Sequence, residues 1–177
     1  MALIRSVKGI KPVIGKDCFL ADNATLTGDV IMGDRCSVWF NAVVRGDVHS
    51  IRIGNNVNIQ DGAIIHCTYK KAPVSIGNNV SIAHNAVVHG CTIHDNVLVG
   101  MGAILMDHVV VESNSVIAAG AVVLKGTVVP AGSVFAGVPA RRIGDAGKEL
   151  IEGEIERIAN SYNMYAGWYD PDEENDE

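Results

Sequence analysis

Aliphatic residues recur every six positions through most of this chain: Ile14, Leu20, Leu26, Met32, Val38 and Val44, then Ile53, Ile59 and Ile65, then Ile76, Ile82 and Val88. Ile93, Val99, Leu105, Val111, Ile117, Val123, Val129 and Phe135 complete the series. A small or β-branched residue tends to follow four places later, as at Cys36, Ala42, Ala63, Ala86, Ala103 and Ala121. An α-helix repeats at 3.6 and an exposed strand at two, so neither yields a strict hexad. A parallel β-helix does. Each hexad makes one short strand and a corner, and three hexads bring the chain back onto itself as a triangular coil. Coils then stack about 4.8 Å apart, the ordinary strand spacing, and each covers the edge of the one before. The aliphatic residue fills the prism and the small one its corner. Asparagine and glycine, as in the twice-used "IGNNV", serve corners that need positive φ. Aromatics make up only 5% of the residues, so this core has to be built from Val, Ile, Leu and Ala.

The expected architecture is therefore all-β, a parallel β-helix over residues 1–144. From Lys148 the spacing changes. Leu150, Ile151, Ile155, Ile158, Tyr162 and Tyr165 recur at three or four, which predicts an amphipathic helix within 145–169, packed on the prism. Residues 170–177, "DPDEENDE", read as an acidic, disordered end. They hold six of the 20 acids, so the formal charge of −6 belongs to the tail, and the body balances 14 acids against 14 bases. A neutral body without a basic stripe argues against nucleic acid as a partner. No apolar run is long enough to span a membrane, and "MALIRSVKGIKP" lacks the features of a secretory signal; the expected location is the cytoplasm. Cys18, Cys36, Cys67 and Cys91 form no CxxC pair and are expected as free thiols, with Cys18 and Cys36 stacked as interior fillers.

Departures from the period locate a candidate site. The step from Val44 to Ile53 is three residues too long, that from Ile65 to Ile76 five too long, and that from Val88 to Ile93 one too short. With these insertions counted, Val44, Ile65 and Val88 occupy one position on three successive coils. The residues after them, Arg45, His66 and His89, then form an outward column on one edge of the prism. His66 and His89 lie one strand spacing apart, close enough to share a metal ion. His84 follows Ile82 on the preceding face, so it should not reach that metal without bending around a corner, and a neighbouring chain could supply it. Three histidines with an open fourth position are a catalytic zinc arrangement, and imidazole suits Zn, Fe or Co alike. His49, His94 and His108 are expected as solvated or packing residues.

The segments "NAVVRGD", "NIQDGAIIH" and "SIAHNAVVHGCTIHDNVLVGMGAI" closely resemble the gamma-class carbonic anhydrase family of hexapeptide-repeat proteins, over essentially the whole chain. The resemblance implies a left-handed β-helix, a homotrimer with metal at its subunit interfaces, and His66, His84 and His89 as ligands. It implies reversible hydration of CO2 to bicarbonate by a metal-bound hydroxide, with Zn2+ as cofactor and Fe2+ or Co2+ as alternatives. Arg45 and Asp47 match an interface ion pair of that family, a pairing that also serves without any catalytic part. Gln60 matches the glutamine that hydrogen-bonds the metal's solvent, flanked by Asn58 and Asp61 as turn or interface residues. Tyr162 falls near a tyrosine that reaches the site in relatives, and equally suits a core-facing position. Two family features are absent. Val48 stands where the best-studied members have glutamate, and the short loop "HCTYKKAP" carries no acid to shuttle protons. The resemblance is thus to a compact subgroup. An acyl-CoA acyltransferase using one histidine as general base and a metal-binding accessory protein or weak thioesterase are the competing readings.

Overall fold

The computed structural model describes residues 1–169. The chain winds as a parallel β-solenoid of triangular section, and the interior residues of each face lie in register from coil to coil. On the first face Ile14 pairs with Met32, then Ile53, Ile76, Ile93, Val111 and Val129. On the second, Leu20 pairs with Val38, then Ile59, Ile82, Val99, Ile117 and Phe135. On the third, Ile4 pairs with Leu26, then Val44, Ile65, Val88, Leu105 and Val123. Apart from Ile4, these are the residues the six-residue period selects, and most of them are fully buried in one continuous core. Cys36, Cys67 and Cys91 are buried and Cys18 half-buried; all four are free thiols.

The corners carry the conformational cost. One corner places Asp17, Arg35, Asn56, Asn79, Asn96 and Asn114 at φ between 54° and 59°, the left-handed region that asparagine tolerates best among non-glycine residues. Four of these asparagines also form a side-chain ladder, with Asn56 donating to Asn79 at 2.9 Å, Asn79 to Asn96 at 3.1 Å and Asn96 to Asn114 at 3.2 Å. His108 sits at another such corner, φ 62°, and His94 is exposed. A glycine column serves a different need. A Cβ on Gly54 would lie 2.6 Å from the Gly77 carbonyl oxygen of the next coil, so the coils close only because no side chain is there.

Ala140–Asp145 folds back antiparallel on Ser133–Gly137 and ends the solenoid, an arrangement the hexad pattern does not foretell. The helix follows from Lys148. Its middle, Ile151–Glu156, is π-helical before regular α-helix resumes over Arg157–Gly167; Gly153, a poor helix former, lies in the irregular turn. Ile155 and Ala159 are buried against the prism. Asn163 donates to Asn56 at 2.6 Å and Asn56 to Asn160 at 3.2 Å, which fastens the helix to the asparagine ladder beside the second face. The acidic end at 170–177 lies outside the described residues. Among the described residues no helix is long and apolar enough to cross a membrane.

Replacing Gly54 by Ala should destabilise the protein by about 1–3 kcal/mol through overpacking against the next coil. Gly144→Ala, at a position where a Cβ meets nothing within 4 Å, should leave the melting temperature unchanged. Thermal unfolding of the two variants side by side checks this.

Candidate metal centre

The strand Val43–Ile53 carries Arg45 and Asp47, the strand Ile64–His66 ends at His66, and Val87–His89 ends at His89. Pairing of Arg45 with His66 and of His66 with His89 puts the three on one edge of the third face, the edge at which the chain departs from its period. The rings of His66 and His89 are 5.2 Å apart at 58°, and His66 Nδ1 lies 3.2 Å from His89 Nε2.

Each ring is held from behind by a carboxylate. His66 Nε2 lies 3.1 Å from Asp47 Oδ1, and the other oxygen of Asp47 accepts from Arg45 at 2.6 Å. His89 Nδ1 lies 2.6 Å from Asp107 Oδ1, and the other oxygen of Asp107 accepts from the Thr68 hydroxyl at 2.7 Å. Burial pushes the Asp47 carboxyl up, but hydrogen bonds from Arg45 and His66 outweigh it and hold the group below its usual value. Asp107 behaves alike, with Thr68 and His89 outweighing burial. Burial lowers the His66 pKa and favours neutral imidazole, the form that binds metal.

Each carboxylate is placed to accept an N–H from its imidazole. That choice of tautomer leaves a lone pair on His66 Nδ1 and another on His89 Nε2, aimed at one another. Two nitrogens at 2.0–2.1 Å from a tetrahedral zinc stand about 3.3 Å apart, so the pair has the bite of a metal chelate. The donor set fits a borderline metal, with carboxylates behind the imidazoles as metal-binding histidines commonly have. Among the described residues no group of three His, Cys, Asp or Glu side chains gathers in one chain to hold such an ion.

A second cluster forms elsewhere. His84 lies at the corner between the strand Val80–Ile82 of the second face and Val87–His89 of the third. Five residues of extended chain reach at most about 16 Å, so His84 and His89 flank the third face instead of sharing one of its edges. His84 Nδ1 lies 2.9 Å from Asp61 Oδ2 and its Nε2 lies 3.4 Å from the Tyr162 hydroxyl. Burial first, then the Asp61 charge, pushes Tyr162 up to about 12. Gln60 is 4% exposed, donates to Asn58 at 2.9 Å while Asn58 donates to Ser81 at 2.8 Å, and lines with His84 and Tyr162 a cavity of about 440 Å³.

The expected residues thus divide into two groups in one chain: Arg45, Asp47, His66 and His89 at one corner, and Gln60, His84 and Tyr162 at the other. Asp107 and Thr68 were not foreseen. The short step after Val88 puts Met106 one coil after His89 and Asp107 one residue past that column, so the period did not single out Asp107; Thr68 had no signal beyond its place in the short loop.

A family model described as bacterial transferase hexapeptide (six repeats) matches residues 11–46 and 90–125. A carbonic anhydrase of Geobacillus kaustophilus is 40% identical over 94% of this chain and 91% of its own length. Gamma carbonic anhydrase 2, mitochondrial, of Arabidopsis thaliana is 42% identical over 87% of this chain, which spans 56% of that longer relative. A crystal structure of a hexapeptide transferase family protein from Anaplasma phagocytophilum superposes with a TM-score of 0.90 at 35% identity, covering 94% of this chain and 98% of the other.

Loss of a carboxylate behind a metal-binding imidazole typically weakens metal about 10–100-fold. Asp107→Ala should do so in a competition titration against a chromophoric chelator, and Thr68→Val should have a smaller effect of the same sign.

Proposed function

Because the chain belongs to the gamma-class carbonic anhydrase family of hexapeptide-repeat proteins, we propose that it hydrates CO2 reversibly to bicarbonate at metal centres shared between the subunits of a homotrimer. His66 and His89 of one copy and His84 of the next would hold the metal, Zn2+ with Fe2+ or Co2+ as substitutes. The observation that carries this reading is the 3.2 Å pair of imidazole nitrogens, each ring backed by a carboxylate, with the third carboxylate-backed histidine a face-width away.

The surface between the two corners supports the trimer. The outward residues Val43, Ile64, Val87, Ile104 and Val122 stack in register on the third face. Met106 and Leu124 continue this apolar strip, both well exposed. An apolar strip flanked by complementary half-sites suits a heterologous contact that closes into a ring.

When bound, the metal supplies hydroxide at neutral pH by lowering the pKa of its water from 15.7 to about 7. Arg45 keeps Asp47 ionised and aimed, and Asp47 fixes the His66 tautomer. Asp107, held by Thr68, does the same for His89. Gln60 spends an amide N–H on Asn58, and its Oε1 would accept a hydrogen bond from the attacking water and orient it. Tyr162 remains a phenol at neutral pH, a donor beside the site and not a base. No acid follows in the loop after His66, and Val48 packs against the core, so the product proton has to leave through solvent or buffer.

The 440 Å³ cavity beside His84, walled by Leu98, Met101 and Val116, favours a second reading, acyl transfer from coenzyme A. Saturable acetyl-CoA binding with transfer to an acceptor would support that reading over hydration.

Stopped-flow CO2 hydration on zinc- and iron-loaded protein should exceed the buffer rate and fall to it in His89→Ala. The rate should also rise with imidazole buffer concentration, since imidazole would carry the proton that no side chain carries. Rates equal to buffer alone in every metal form would exclude the proposal.

A further inference from the structure

The chain contains only two Trp, four Tyr and three Phe, yet most of them gather at one place. Six rings form an arc linked by tilted and edge-to-face contacts. Phe40 and Tyr169 are 5.6 Å apart, Tyr169 and Trp39 5.7 Å, Trp39 and Tyr162 5.2 Å, Tyr162 and Tyr165 5.4 Å, and Tyr165 and Trp168 4.9 Å. The arc lines an open cavity of about 250 Å³, whose only other lining residue among those described is Asp61. An aromatic-poor protein has thus assembled a cage of rings with, among the described residues, one carboxylate and no cationic side chain in its wall. Docking the helix on the prism explains the rings that touch the second face, such as Trp39. It does not explain Trp168 and Tyr169, which are 66% and 54% exposed at the end of the helix yet close the same arc.

Ring faces carry negative quadrupole potential, and several of them around one space suit a cation too weakly hydrated to prefer water. A nearby carboxylate supplies the counter-charge. A primary ammonium would seek several hydrogen-bond acceptors and finds few here; a methylated ammonium needs none. We infer that this cage, formed by the aromatic arc and Asp61, is a binding site for quaternary or trimethylated ammonium groups. The inference stands apart from CO2 hydration, and its test requires no metal. Asp61 also pairs with His84, so an occupant of the cage would sit one carboxylate away from that histidine.

Both tryptophans of the chain line the cavity, so intrinsic fluorescence reports on it directly. Titration of the full-length protein with tetramethylammonium and with choline should give saturable quenching at one site per chain. The uncharged carbon isostere of choline, 3,3-dimethylbutan-1-ol, should bind at least tenfold more weakly. Trp168→Ala should weaken choline at least tenfold, as read by calorimetry, without altering the melting temperature; Tyr165→Leu serves as the second variant if the first perturbs folding. Absence of saturation, or equal binding of the isostere, would overturn the inference. So would binding that appears only after Lys70 and Lys71 are replaced by Ala, because the cage would then belong to the basic loop of a neighbouring copy.

Discussion

The lateral hydrogen bonding of one coil to the next is the constraint from which the rest of the molecule follows. Parallel strands stacked in register fix the vertical distance between equivalent residues at about 4.8 Å, whatever lies between them in sequence. Backbone contacts such as Val43 N–H to the Ala63 carbonyl and Ile64 N–H to the Ala86 carbonyl, each 2.9 Å, carry the register through two insertions of different length. The insertions are expelled at the corner after the third face, and neither the interior columns nor the faces shift. Residues 21 and 23 apart in the chain are thereby held as neighbours, which is how Arg45, His66 and His89 come to form a column.

That stacking also explains why a histidine site here takes two forms in one chain. A coil edge can align side chains vertically, but it cannot bend one face onto another. His84 and His89 share a coil and lie at opposite ends of its third-face strand, each with its own carboxylate and its own neighbours. Asp47, Asp107 and Asp61 do the same work at the three rings: each takes up one nitrogen, leaving His66 and His89 to face one another and His84 to face Tyr162. In the proposed trimer these two groups would act as complementary halves, with the apolar strip between them at the contact.

The interior was legible almost residue by residue, because burial in a solenoid imposes the period on the sequence directly. The His66–His89 pairing was legible for the same reason, once the insertions were counted from Val44, Ile65 and Val88. Asp107 does not follow from that arithmetic, because the short step after Val88 aligns Met106 with His89 and leaves Asp107 one residue past the column. Other features leave no periodic trace. The return of Ala140–Asp145 on the last coil depends on a single pairing, and the π-helical turn at Ile151–Glu156 on local packing. The aromatic cage joins residues from two early coils to the far end of the chain, and no spacing rule connects Phe40 with Trp168.

The central claim is that each metal centre takes His66 and His89 from one copy and His84 from another. Mixing His84→Ala and His89→Ala chains during refolding tests it most directly. Neither variant alone should retain metal bound with high affinity, whereas random mixed trimers should recover it at about a quarter of their interfaces, where two undamaged halves meet. A mixture that binds no more metal than its separate components, or a single variant that keeps its full complement, would contradict the account.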